Sequence, residues 1–281
     1  MRVAMVDGLV TLFYDGSKKL HNDNFYEEWF EKWECDECNP NYPHGDNWED
    51  WPLSDECKQY LRERESWQQV IVVEGVIEIP AYTFRRCKNI KRVIMANTVV
   101  KIERCAFSCC SSLFFIKLSI TIEVIEDGAF LGCDLASVFI SPRCREIGVA
   151  AFRDNYDLDI FHVHPNVQLG RRLLSKTKLM KDSPFELDRW GNYEEMEEVY
   201  EWIKNINNDG KYSLHRACCS FQPLKEVLMS IIKAKGIGSF AVKNEAGITP
   251  SRYLKENPYA DIEEMDIVRD YIATMMGECN N

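Results

Sequence analysis

The sequence of 281 residues has no apolar run approaching the ~20 residues that a membrane-spanning helix needs, and it has no surplus of positive charge. Lys and Arg number 34 against 45 Asp and Glu, a formal charge of −11. This argues against a protein that grips nucleic acid through a basic face. The one basic run, Arg171, Arg172, Lys176, Lys178 and Lys181, reads as a solvated linker. No signal peptide is expected in the first residues either: Met1 to Tyr14 is apolar, but Asp7 and Gly8 interrupt it and no small-residue cleavage site follows. A reducing, cytoplasmic setting is therefore expected, with the 12 cysteines mostly as thiols rather than a disulfide framework, an extracellular location being the lesser alternative. The acidity is uneven, −9 over residues 1–66, zero over 67–169 and −2 over 170–281.

What the sequence has in quantity is internal repetition. Phe84, Phe107, Phe130 and Phe152 recur at steps of 23, 23 and 22 residues, with Ile79, Ile102, Ile125 and Ile147 five places before them. Val76, Val99, Ile122 and Cys144 stand eight before, and Cys87, Cys110, Cys133 and Asn155 three after. Each copy continues with an alternating segment: Ile90-x-x-Val93-x-Met95, Leu113-x-x-Ile116-x-Leu118, Leu135-x-x-Val138-x-Ile140, Leu158-x-x-Phe161-x-Val163. The third copy is one residue shorter between Cys133 and Leu135, and Trp67, Val70 and Val72 fit the columns one period upstream. A fixed period of this length means one structural unit stacked on itself. The alternation predicts strands with one buried face, the phenylalanines a stacked core, and the cysteine column small apolar packing positions. Metal ligation by that column would require adjacent layers to share an ion, so packing is the preferred reading.

These columns resemble the leucine-rich repeats, specifically the BspA-like subclass, in the aliphatic strand followed by an isoleucine and an alanine–phenylalanine step. That step stands here as Ala106-Phe107, Ala129-Phe130 and Ala151-Phe152, with a wider Ala81-x-x-Phe84 in the first copy. The resemblance implies a curved α/β solenoid of parallel strands over residues 67–169, and an interaction role rather than catalysis.

Residues 1–66 are expected to form an acidic cap region. Leu9 to Tyr14 reads as a strand closed by the turn dipeptide Asp15-Gly16, Phe25 to Trp33 as a short amphipathic helix, and Trp48, Trp51 and Trp67 as cover for the open end of the repeats. Cys35, Cys38, His44 and Cys57 invite a zinc reading. It is weak, because there is one CxxC pair only and the surrounding acids oppose thiolate formation. A zinc-dependent or cysteine-based enzyme using this cluster is the alternative function.

After a linker over 170–192, the spacing turns helical from Glu194, with Met196, Val199, Tyr200 and Ile203, then Val227, Leu228, Ile231 and Ile232. Two phrases, Asp209 to Cys218 around Leu214-His215 and Gly247 to Ser251 around Thr249-Pro250, resemble degenerate ankyrin signatures. Residues 193–281 are thus expected to be an all-α, ankyrin-like region. His215 is read as a structural hydrogen-bonding residue of that motif, not as a base for Cys218 or Cys219. His162 and His164 alternate on the last strand and make a poor metal pair.

On the strands, the alternation points Ile71, Ile94, Lys117, Phe139 and His162 outward, with Phe115 and Ile160 in the neighbouring outward row. So apolar a row marks an interaction surface; the alternative is that the acidic amino-terminal segment or the ankyrin-like tail folds back and covers it. The expected function is a non-catalytic, monomeric module that binds a protein partner there, with no cofactor, metal, membrane or nucleic acid involved.

Overall fold

The alternation of Val70/Val72, Val93/Met95, Ile116/Leu118 and Val138/Ile140 sends one side of every strand into a common core, where all eight are buried. The computed structural model describes residues 2–6, 8–16, 62–158, 160–181, 183–188, 192–194, 196–205, 213–218, 236–244, 247–257 and 260. In chain order the strands are β1 (Arg2–Val6), β2 (Leu9–Tyr14), β3 (Gln69–Val72), β4 (Glu78–Ile79), β5 (Arg92–Met95), β6 (Lys101–Ile102), β7 (Phe115–Lys117), β8 (Val124–Ile125), β9 (Ser137–Phe139), β10 (Glu146–Ile147), β11 (Ile160–His162) and β12 (Gln168–Leu169). Helices α1 (Lys178–Lys181), α2 (Glu197–Asn205), α3 (Ser213–Cys218) and α4 (Pro250–Glu256) follow, with a 3₁₀ turn at Ile237–Ala241.

Each coil contributes one longer strand and one two-residue strand, so the solenoid has two parallel ladders. The short ladder runs β4-β6-β8-β10-β12. The long ladder runs β1-β2-β3-β5-β7, with only β1 antiparallel, and β9 pairs with β11 as a separate two-stranded piece. The interruption falls between β7 and β9, where the third repeat is one residue short, while β9 keeps its column register with β11.

Inside, Phe84, Phe107, Phe130 and Phe152 stack nearly parallel at centroid distances of 4.9, 5.3 and 5.2 Å. Tyr14 closes this spine edge-on against Phe84 and Phe161 does so against Phe152, each at 5.3 Å. Offset stacked and edge-on pairs suit the ring quadrupole and add about 0.5–1.5 kcal/mol each beyond area burial. The cysteine column has a second role besides filling space. The Cys110 thiol donates to the Phe84 carbonyl at 3.0 Å and the Cys133 thiol to the Phe107 carbonyl at 3.2 Å. Asn155 takes over the same duty in the next coil, its Nδ2 donating to the Phe130 carbonyl at 2.8 Å. Burial pushes the Cys87 thiol up to about 11 and the Cys110 thiol well above its usual value, so both remain protonated. At the head of the column the Arg64 guanidinium reaches the Cys87 sulfur at 3.1 Å.

The corners on either side of the phenylalanine column are left-handed: Tyr82 and Arg86, Cys105 and Cys109, Gly128 and Gly132, Ala150 and Asp154, then Arg172 and Lys176. The last pair shows that the solenoid continues past Leu169. Ala150, Phe152 and Asp154 donate backbone hydrogen bonds to Arg171, Leu173 and Ser175, and Leu174 takes the phenylalanine position, fully buried. Residues 170–177, expected as linker, are therefore a further coil. Gly170 is there because of close approach, since a Cβ would run into the carbonyl carbon of Gly148.

Both ends of the core are covered. Leu12 and Tyr14 of β2 and Trp67 are buried at the first coil; Leu179 and Met180 of α1 and Val199 and Ile203 of α2 join the same hydrophobic cluster at the last. Phe185 and Trp202 meet edge-on at 5.8 Å alongside. Trp48 and Trp51 lie outside the described residues. The helix expected from Glu194 is present as α2; the segment around Val227 to Ile232 lies outside the described residues. Farther on, α3 packs on α4, and α4 opens with Thr249 as N-cap and Pro250 in the first turn.

Candidate protein-binding face

The outward side of the long ladder is built by register. One row reads Arg2, Phe13, Ile71, Ile94, Lys117 across β1, β2, β3, β5 and β7, and the next reads Ala4, Thr11, Gln69, Arg92, Phe115. Ile71, Ile94, Phe115 and Lys117 are each half-buried, as is Phe13. The Arg2 guanidinium lies over the Phe13 ring at 4.5 Å, and that of Arg92 over Phe115 at 5.1 Å. Such stacking fixes a cation beside an apolar surface.

The other half of the expected row differs. Register pairs Ile160 with Ser137 and His162 with Phe139, and the Phe139 and His162 rings lie 6.5 Å apart. Phe139 is only 3% exposed and Ile160 0%, so neither offers the exposed surface expected of it. Strand alternation gives the direction of a side chain, not what covers it. His162 is half-buried; burial, and after it the nearby His164, lowers its pKa to about 4.

That shift sets a pH dependence. The unfolded chain takes up a proton near pH 6.5 while the folded chain does so only near 4, so the stability is whole above about pH 6.5 and falls as pH drops toward 4. His162→Gln is expected to remove on the order of 1–2 kcal/mol of the loss between pH 7 and pH 5, read from urea midpoints at the two pH values. An unchanged pH dependence would contradict this assignment.

Cys35, Cys38, His44 and Cys57 lie outside the described residues; among the described residues no group of three or more His, Cys, Asp or Glu could hold a metal ion. His215 is buried with its Nε2 3.0 Å from the Ile248 carbonyl, and Tyr253 lies edge-on to it at 6.0 Å. Burial raises the Cys218 thiol far above its usual value, which opposes a thiolate nucleophile beside that histidine. No described helix is long and apolar enough to cross a membrane.

Sequence reasoning missed Arg2 and Phe13. The repeat columns do not extend to β2, although its Leu12/Tyr14 alternation matches Val70/Val72 and was the available signal.

With the parallel ladders, the aromatic spine and the half-buried strand face in place, the class is a solenoid of stacked coils, consistent with a leucine-rich repeat fold. Residues 64–184 match the family model described as BspA type Leucine rich repeat region, in six copies. Repeats of this family are generally protein-interaction modules. No curated protein matches the sequence. Among solved structures, the Leucine Rich Repeat protein TpLRR of T. pallidum is similar at 24% identity and TM-score 0.37, covering 39% of this chain and 55% of its own. A leucine-rich repeat protein from Eubacterium ventriosum is similar at 21% identity and TM-score 0.37, over 47% of this chain and 37% of its own. The pneumococcal vaccine antigen PcpA follows at 19% and 0.31, over 36% and 34%. The chain thus spans about half or less of the length of these proteins.

Proposed function

We propose that the chain is a non-catalytic interaction module that holds a protein partner against the outward face of β1, β2, β3, β5 and β7. The observation that carries this reading is the continuous row Phe13, Ile71, Ile94, half-buried and bordered by guanidinium-stacked aromatic rings, on strands whose opposite side is buried at Leu12, Tyr14, Val70, Val72, Val93, Met95 and Ile116. A rigid scaffold of this kind presents side chains at little entropic cost on binding, and aromatic residues and arginine commonly dominate such surfaces. The helical tail fits an ankyrin-like extension, which the His215 to Ile248 hydrogen bond and the Thr249-Pro250 helix start support. The buried free thiols of Cys87, Cys110 and Cys133 suit a reducing compartment such as the cytoplasm, with the protein as a monomer.

The test is capture of partners from the native cell by wild type and by Ile94→Glu combined with Phe115→Glu. Both positions are half-buried on the strand face, so the variant is expected to keep its circular dichroism spectrum and lose its principal partners. A folded variant with an unchanged partner set would move the site elsewhere.

A further inference from the structure

The apolar row is bordered by one sign of charge. At the outward positions of β1, β2, β3, β5 and β7 stand Arg2, Arg92 and Lys117, and no Asp or Glu occupies any of them. This is a local reversal in a protein of formal charge −11. Arg2 and Arg92 are each laid over an aromatic ring, an arrangement that preorganises the planar fork for bidentate contact with a carboxylate.

We propose, building on the binding face assigned above, that the partner presents an extended acidic segment with apolar side chains between its carboxylates. The spacing follows from the sheet. Arg2 and Arg92 stand three strands apart, on the order of 14 Å at the usual strand separation, which an extended chain covers in about four residues. Residues i, i+2 and i+4 of an extended segment point the same way. Two carboxylates four apart can therefore meet Arg2 and Arg92 while the side chain between them lies on Phe13, Ile71 and Ile94. A polyanion such as nucleic acid fits less well, because it lacks the apolar anchor and the net negative charge of the chain opposes its approach.

The probe is a phage-displayed library of random peptides, selected on the full chain and counter-selected on the Ile94→Glu variant. The expected outcome is a set of Ile94-dependent peptides enriched in Asp and Glu, with acids four apart around an aliphatic or aromatic residue. Their binding should fall at least tenfold with Arg2→Glu plus Arg92→Glu, weaken as salt rises, and persist with Lys88→Glu, an exposed residue on a turn outside the ladder strands. Ile94-dependent peptides that are neutral or basic would overturn the acidic chemistry and leave the binding face standing. A library that yields no Ile94-dependent peptide would overturn both.

Discussion

Phe107→Ala is expected to lower stability by about 3–5 kcal/mol, the typical cost of truncating a buried aromatic residue. Phe107 is fully buried, stacked at 4.9 Å on Phe84 and at 5.3 Å on Phe130, so its removal opens a void in the middle of the spine and unpairs two ring contacts. The surrounding coils are tied by hydrogen bonds on both sides: Phe84 donates its N–H to the Ala106 carbonyl and Phe107 donates to the Ala129 carbonyl. They have little freedom to collapse into the space. Lys101→Ala is the comparison. Its Nζ lies 2.6 Å from Glu126, but the lysine side chain is 36% exposed, and an ion pair at that exposure contributes at most about 1 kcal/mol. Urea denaturation of the two variants should give clearly separated midpoints; overlapping midpoints would defeat the stacked register.

Gly148→Ala is expected to be about as damaging, at roughly 3 kcal/mol, the upper end for overpacking. A Cβ at this position would stand 2.5 Å from the Asp127 backbone nitrogen and 2.7 Å from the Glu126 carbonyl carbon. Those are backbone atoms, and no rotamer can relieve them. Asp127 is also held in place, because its Oδ1 accepts a hydrogen bond from the Val149 N–H at 2.6 Å. Gly75→Ala is the control, since nothing lies within 4 Å of its Cβ position, although its φ of +95° brings a backbone penalty of its own. Thermal melts should place Gly148→Ala well below Gly75→Ala. Equal melting temperatures would mean that the coils around residue 148 are farther apart than described.

The solenoid was legible because its signal is repeated. Four phenylalanines, four isoleucines and an alternating strand in every copy all point to one unit, and the structure stacks them as expected. The last coil was hidden because Leu174 replaces phenylalanine, and because Gly170, Arg172 and Lys176 read as linker residues. In the fold one is a close-approach glycine and the other two are left-handed corners. The short ladder was hidden for a different reason: strands of two residues are too short to show alternation. Nor could spacing place β2 beside β3, since Val10 and Gln68, hydrogen-bonded at 3.2 Å, lie 58 residues apart in the sequence. Half of the candidate face suffered the opposite error. Phe139 and Ile160 have the outward alternation that Ile71 and Ile94 have, yet only the latter two retain exposed surface.

The most direct measurement of the central claim, that partners sit on the outward strand face, is site-specific photo-crosslinking in the native cell. A benzophenone-bearing residue in place of Ile94, compared with one in place of Lys88, samples the face and the turn. Crosslinked protein at position 94 with none above background at position 88 is the expected result. Crosslinking at position 88 alone would contradict the account.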